Sequence, residues 1–309
     1  MKIDDGIKTV VAIGKFDGIH KGHERIIRRM MEYRQRGYKT LIFTFDIQPQ
    51  SLLNSRENRV LTTGEEKRYL FSELGIDFLV ELPFCEKTAG ISAEDFLKEV
   101  LIKRLKCRAI VCGPDLRFGK GGKGNVAMLN EYCMEGKNSK PELNVIEKVN
   151  YNGSEISSSR IREAIMRSDI EEANEMLLAP YTFYGRVSHG RKLGRTLGMP
   201  TVNLLPRAEK LLPKSGVYFS RVRHMGVEYR SITNIGTKPT VVKSGEMEGP
   251  VMGVETYLYN FNKEIYGDRL MVSLYHFLRP EIKFESVDKL KLQMEEDIKK
   301  GEKWHKSHI

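Results

Sequence analysis

Long apolar runs are missing from this chain. No stretch approaches the ~20 residues that a membrane-spanning helix needs. The opening Met1-Lys2-Ile3-Asp4-Asp5-Gly6 lacks the apolar centre of a secretory signal. A cytoplasmic protein with no membrane partner is therefore expected. Cysteine is scarce. Cys85, Cys107, Cys112 and Cys133 have no C-x-x-C spacing, which argues against a zinc site or a disulfide framework and for buried, reduced thiols. Acidic residues are too few to balance the basic ones: 51 Lys and Arg against 41 Asp and Glu leave a formal charge of +10. That charge suits an anionic partner. No RNA-binding motif accompanies it, and nucleotides or phosphates meet the same demand, so no nucleic-acid partner is expected.

A length of 309 residues is enough for two domains with separate cores. The first part alternates strand and helix. Val10-Val11-Ala12-Ile13 reads as a buried strand within residues 8–13, followed by a helix to about residue 36. Further strands are expected at 40–45, 78–82 and 109–112, with helices at 65–74, 93–105 and 169–178. This alternation implies an α/β domain with a parallel, doubly wound sheet, whose ligands sit at the carboxyl ends of its strands. Pro180 marks the boundary. The rest reads as short strands at 181–187, 216–223, 227–233, 254–259 and 269–277, the pattern of a small antiparallel β-barrel, closed by a helix from 286 to about 305. Val287, Leu290, Met294, Ile298 and Trp304 supply that helix's apolar stripe. The expected domains are 1–180 and 181–309.

The first strand leads into Gly14-Lys15-Phe16-Asp17-Gly18-Ile19-His20-Lys21-Gly22-His23. His20 and His23 are three apart at a helix start and face the same way. Two imidazoles beside the free N–H groups of a helix N-terminus suit phosphate charge. Gly113-Pro114-Asp115-Leu116-Arg117-Phe118-Gly119 follows another strand, and Ile156-Ser157-Ser158-Ser159-Arg160-Ile161-Arg162 opens a helix with hydroxyls and arginines. The segment G-x-F-D-G-x-H-x-G-H, with these two pieces, resembles bacterial FMN adenylyltransferases (FAD synthetases) of the nucleotidyltransferase superfamily. The resemblance implies a Rossmann-like fold. It implies a nucleotide site at Gly14, Phe16, Asp17, Gly18, Gly22, Ser158, Arg160 and Arg162, catalytic His20 and His23, and Asp115 toward the flavin.

This half also departs from that family. In Phe45-Asp46-Ile47-Gln48-Pro49, Ile47 stands for the usual proline and Gln48 for the usual histidine. Leu116 replaces a phenylalanine, and Asn125 stands where an acid is common. Glutamine can hydrogen-bond but cannot carry a histidinium charge. Kinase activity with a weak or degenerate adenylyltransferase domain stays open as a second reading. A non-catalytic flavin-binding regulator is a third.

In the second half, Gly185, Gly190, Gly194 and Gly198 are interleaved with Arg186, Arg191, Lys192 and Arg195. Bunched glycine amides with basic side chains suit a polyphosphate. Met199-Pro200-Thr201-Val202-Asn203 follows. Thr201 and Asn203 alternate on an extended segment and face one side, offering hard oxygens of the kind Mg²⁺ accepts. Glu255 is a carboxylate inside an apolar strand, an unusual place for one. The pattern G-x(4)-G-x(3)-G-R-x-L-G-x-P-T-x-N closely resembles the nucleotide and metal loop of riboflavin kinases. That resemblance implies Gly190, Gly194, Gly198 and Asn234 at the nucleotide, Thr201 and Asn203 on Mg²⁺, Glu255 as catalytic base and Arg279 near the flavin. Together the two resemblances imply a bifunctional enzyme that uses riboflavin, FMN and ATP. A homo-oligomer is compatible with this reading but not required by it.

Overall fold

The computed structural model describes residues 2–46, 59–83, 85–134, 140–189, 193–238 and 251–308. Its contacts divide the chain into two compact units, Met1–Ser158 and Ser159–Ile309. Residues 159–180, which the sequence pattern places with the first domain, thus group with the second unit. The helix Ile170–Met176 explains this. Asn174 donates to the carbonyl of Leu274 (2.9 Å) and accepts from the Tyr181 amide (2.8 Å), tying that helix to the barrel.

Among its described residues the first unit holds five parallel strands: β1 (Thr9–Ile13), β2 (Lys39–Asp46), β3 (Phe78–Pro83), β4 (Cys107–Cys112) and β5 (Glu142–Val145). Their order is β3-β2-β1-β4-β5. All of β1 is buried, so it reads as a continuous apolar run rather than an alternation. The chain reverses its winding beside β1. The loops after β1 and β4 therefore border the crevice where such sheets bind ligands. Helix α1 (Lys21–Gln35) follows β1, and α2 (Gly64–Glu73) precedes β3.

The helix expected at 93–105 is a short α-turn, Ala93–Asp95, followed by a π-helix, Phe96–Arg104. The Leu105 amide closes it by bonding to Val100, five residues back (3.0 Å). The helix Val126–Met134 and edge strand β5 were not anticipated. The mixed sequence Glu-Leu-Asn-Val of β5 carries too little apolar signal. A small hairpin, β6 (Asn150–Tyr151) with β7 (Ser154–Glu155), precedes the unit's end. Cys107 and Cys112 are buried as expected, but Cys85 is exposed, at the start of a four-residue helix rather than in a core.

The second unit is a closed antiparallel barrel of β8 (Thr182–Ser188), β9 (Thr201–Leu204), β10 (Gly216–His224), β11 (Val227–Lys238), β12 (Val251–Leu258) and β13 (Arg269–Pro280). Its interior carries a hydroxyl chain. Ser220 bonds to Ser231 (2.8 Å) and Thr233 (2.7 Å), and Thr233 bonds to Thr256 (2.9 Å), all fully buried. Mutual pairing is what makes buried hydroxyls tolerable.

The C-terminal helix Val287–Ser307 packs on the barrel's outside. Ile298 and Trp304 lie against Val217, Phe219, Ile232 and Tyr259. Val287, counted on the apolar stripe, is exposed instead. Gly301 sets the closeness of the fit: a Cβ there would lie 2.3 Å from the Tyr259 hydroxyl.

Candidate substrate sites

In the first unit, a cleft of about 510 Å³ opens at the crevice beside β1. Gly14, Phe16, His20, Gly22 and His23 line it from the β1 side, Asp115 and Arg117 from the β4 side, and Ser158 from the unit's end. The β1 loop is tightly built. Phe16 takes a left-handed φ of 48°, and its ring turns into the core against Phe71. Gly18 also has positive φ (61°), and its amide donates to Thr62 Oγ1 (3.0 Å). The Asp17 carboxylate accepts from the Thr62 amide (3.0 Å), and Ser158 Oγ donates to the Asp17 carbonyl (2.7 Å). Asp17 and Ser158 thus brace the loop that borders the cleft.

His20 and His23 cap α1 reciprocally. Each Nδ1 accepts from the other residue's backbone N–H at 3.3 Å. A neutral imidazole whose Nδ1 accepts carries its proton on Nε2. The rings stack with centroids 3.7 Å apart. Burial pushes the His20 pKa down to about 4. His23 lies well below its ordinary value, chiefly through burial and further through the charges of His20 and Lys67. Both are neutral N–H donors at pH 7. A Cβ on Gly22 would sit 3.0 Å from the His20 ring, so glycine is what lets that ring lie where it does.

In the second unit, the register puts Asn203 (β9), Glu255 (β12), Asn234 (β11), Val217 (β10) and Arg279 (β13) in one row across five strands. Residues directly opposite one another share a face. Gly194, Thr201, Asn234, Glu255 and Arg279 line a cavity of about 290 Å³, closed by Met294, Asp297 and Ile298 of the C-terminal helix. Thr201 Oγ1 donates to Glu255 Oε1 at 2.9 Å. Thr201 also lines a second cavity of about 190 Å³, with Pro200, Phe261 and Tyr266. Thr201 is thus common to the linings of both cavities.

Comparison with known proteins covers both units. Residues 2–160 match the family model for FAD synthetase, and residues 177–305 match that for riboflavin kinase. A bifunctional riboflavin kinase/FMN adenylyltransferase of Listeria monocytogenes is 34% identical over 94% of this chain and 90% of its own. One from Bacillus subtilis is 33% identical over 95% and 92%. This chain belongs to the bifunctional riboflavin kinase/FMN adenylyltransferase family. A solved structure described as a macrolide-efflux protein from Streptococcus pneumoniae shares the fold, with a TM-score of 0.77 and 30% identity over 96% of this chain and 94% of that one. Among the described residues of this chain, no helix is long and apolar enough to cross a membrane.

Against the family's two activities, the candidate residues fall as follows. On the FAD synthetase side, Asp115 is exposed and ion-paired with Lys148, which also bonds Glu155 at 2.8 Å. Arg160 pairs with Glu172 at 3.1 Å in the second unit. Ile47 and Gln48 lie outside the described residues, as does Gly190 on the riboflavin kinase side. Arg279 lines its cavity, but its Nε donates to both oxygens of buried Asp297 at 3.1 Å. Asn234 lines the same cavity, with its amide 3.4 Å from Glu281. Thr62, Lys67, Lys148 and Asp297 were missed by sequence reasoning, because the fold brings them to their partners: Thr62 to Asp17 and Gly18, Lys67 to the Lys15 carbonyl, Lys148 to Asp115 and Asp297 to Arg279.

The turn 194–199 carries its own test. The Met199 amide closes it on the Gly194 carbonyl (2.7 Å), Gly198 has φ 79°, and a Cβ on Gly194 would lie 2.4 Å from the Met199 carbonyl. Gly194→Ala must open this turn and shift Thr201, whose Oγ1 is 3.2 Å from the same Cβ position. The ATP KM for FMN formation is expected to rise roughly tenfold or more, the scale of a lost charged hydrogen bond. An unchanged KM in steady-state kinetics would remove the turn from the nucleotide site.

Proposed function

We propose that this chain phosphorylates riboflavin to FMN and then adenylylates FMN to FAD with release of pyrophosphate. Residues 181–309 carry the first reaction and residues 1–180 the second. The observation that most supports it is the Thr201–Glu255 hydrogen bond of 2.9 Å in a cavity that also presents Asn234 and Arg279.

In the kinase reaction, Glu255 takes the proton of the ribityl terminal hydroxyl as that oxygen attacks the γ-phosphate of ATP. The oxygen–γ-phosphorus bond forms, the bond from the γ-phosphorus to the β-bridging oxygen breaks, and ADP leaves. Thr201 orients Glu255 through its hydroxyl. Positioning and charge neutralisation carry most of such a reaction. Thr201 and Asn203 would hold Mg²⁺: Thr201 gives its hydrogen to Glu255 and keeps oxygen lone pairs for a cation, and Asn203 stands on the same side of β9. When bound, the ion would offset triphosphate charge.

In the adenylyl transfer, an FMN phosphate oxygen attacks the α-phosphorus of a second ATP. The α–β phosphoanhydride bond breaks and pyrophosphate leaves. His20 and His23 donate from Nε2 to oxygens that gain charge, and the α1 N-terminus adds its field. No covalent enzyme intermediate is required. Both substrates point to the cytoplasm, where ATP is abundant.

Chromatography of products from the purified protein with riboflavin, ATP and Mg²⁺ tests this reading. FMN appearing first and FAD after it is the expected course. FMN alone would limit the chain to the kinase reaction. Folded protein with no flavin product would sink both.

A further inference from the structure

Lys67 of α2 is only 6% exposed, and burial lowers its pKa. A buried ammonium is unfavourable unless something holds it, and the usual partner is a carboxylate. Among the described residues Lys67 makes no ion pair; Asp17, Asp46 and Glu81 act on it only through their fields. Its hydrogen bond goes to a backbone carbonyl instead, that of Lys15, at 2.8 Å. Thr44 Oγ1 donates to the same oxygen at 3.1 Å.

The Lys15–Phe16 peptide is therefore gripped from below by two donors, one of them charged. The described residues include no cis peptide, and in a trans peptide C=O and N–H point in opposite directions. With the carbonyl turned down to Lys67 and Thr44, the Phe16 N–H turns the other way. Lys15 and Phe16 line the cleft, and among the described residues the Phe16 N–H has no hydrogen-bond partner. A cation on the carbonyl end of an amide polarises it and strengthens its N–H as a donor. The left-handed φ of Phe16, which a residue with a large side chain adopts only under constraint, fits a peptide held in place by its surroundings.

We propose that Lys67 is a positioning residue for adenylyl transfer: from beneath the cleft it holds and polarises the Lys15–Phe16 peptide, and so aims the Phe16 N–H at the phosphates of the bound nucleotide. The proposal rests on the adenylyl-transfer reading above. Lys67 touches no substrate and acts through one amide. The segment that carries it supports the same loop twice more, through Thr62 to Asp17 and to Gly18. Lysine suits the task because it combines a long apolar stem, which packs in the interior, with a charged end that reaches a carbonyl.

The test compares wild type, K67M and K67R in the full chain. FAD formation from FMN and FMN formation from riboflavin are measured separately. Wild type must make FAD; if it does not, the adenylyl-transfer reading and this proposal fall together. K67M, which keeps the stem and loses the charge, is expected to lower kcat for FAD formation by about 10- to 100-fold, the scale of a charged hydrogen bond. The ATP KM should change less, and FMN formation should not change. The ¹⁵N-resolved Phe16 amide proton should move upfield in K67M, a signature that a packing role alone would not give. Folded K67M making FAD within twofold of a competent wild type would overturn the proposal alone. If K67M does not fold, K67R decides. Retention of a tenth or more of wild-type kcat supports a role for the cation, and a folded K67R below a tenth overturns it.

Discussion

Glu255→Gln is expected to lower kcat for FMN formation by about 10²- to 10⁴-fold, the usual contribution of a positioned general base. The substitution is nearly isosteric. Its amide oxygen can still accept from Thr201 Oγ1, as Glu255 Oε1 does at 2.9 Å, so the cavity keeps its shape. What disappears is the ability to take a proton. The riboflavin KM should therefore stay within a few-fold of wild type. FAD formation from supplied FMN gives an internal control, because its candidate residues His20 and His23 belong to the other unit. A kcat for FMN formation within threefold of wild type would remove Glu255 from the base role. It would leave Asn203 and Asn234, its neighbours in the row, to be tested as orienting groups.

The kinase-side cavity was partly legible in the sequence. Thr201 and Asn203 could be put on one side of an extended segment by their spacing, and Glu255 stood out as a carboxylate in an apolar strand. Their meeting could not be read. It depends on β9 pairing with β12 in the register Asn203–Glu255, across more than fifty residues of chain. The same limit hid Asp297. In the sequence it is one acid on a highly charged helix; in the fold it is a buried partner of Arg279.

On the other side, the continuous apolar run of β1 announced a central parallel strand, and the loop after it announced the cleft. Lys67 gave no such signal, because a lysine in a charged helix is ordinarily a solvated side chain. The π-helix was hidden for another reason. Its apolar spacing is compatible with an α-helix, and the five-residue bonding step, as at Leu105–Val100, distinguishes the two. Helix Ile170–Met176 has an amphipathic pattern that says it packs, but not on which unit. Asn174 decides that, through its bonds to Leu274 and Tyr181.

His20→Asn is expected to change both catalysis and acid sensitivity in the first unit. Asparagine is a good N-cap, so α1 keeps its start. The Nε2 donor is lost, and FAD formation should fall by roughly 10²-fold, the scale of one removed transition-state donor, while FMN formation holds. The acid effect follows from the depressed pKa. Folded His20 titrates at about 4, against an ordinary value of 6.5, because burial disfavours its charged form. Between those values the unfolded chain binds more protons than the folded one, so stability rises with pH. The contribution is fully present above pH 6.5 and is lost as pH falls toward 4. His23 is shifted in the same direction, so wild type should lose protection steeply across this window, and the variant less steeply. Hydrogen exchange of the β1 amides, followed from pH 7 to pH 4.5, reports the first unit directly because β1 is its fully buried central strand. Equal slopes in wild type and variant would mean that His20 is not held neutral by burial. A triphosphate arriving beside these rings acts oppositely, since its negative charge favours the protonated form. ATP binding should therefore take up protons near pH 6, visible as buffer-dependent heats in calorimetry, and His20→Asn should reduce that uptake.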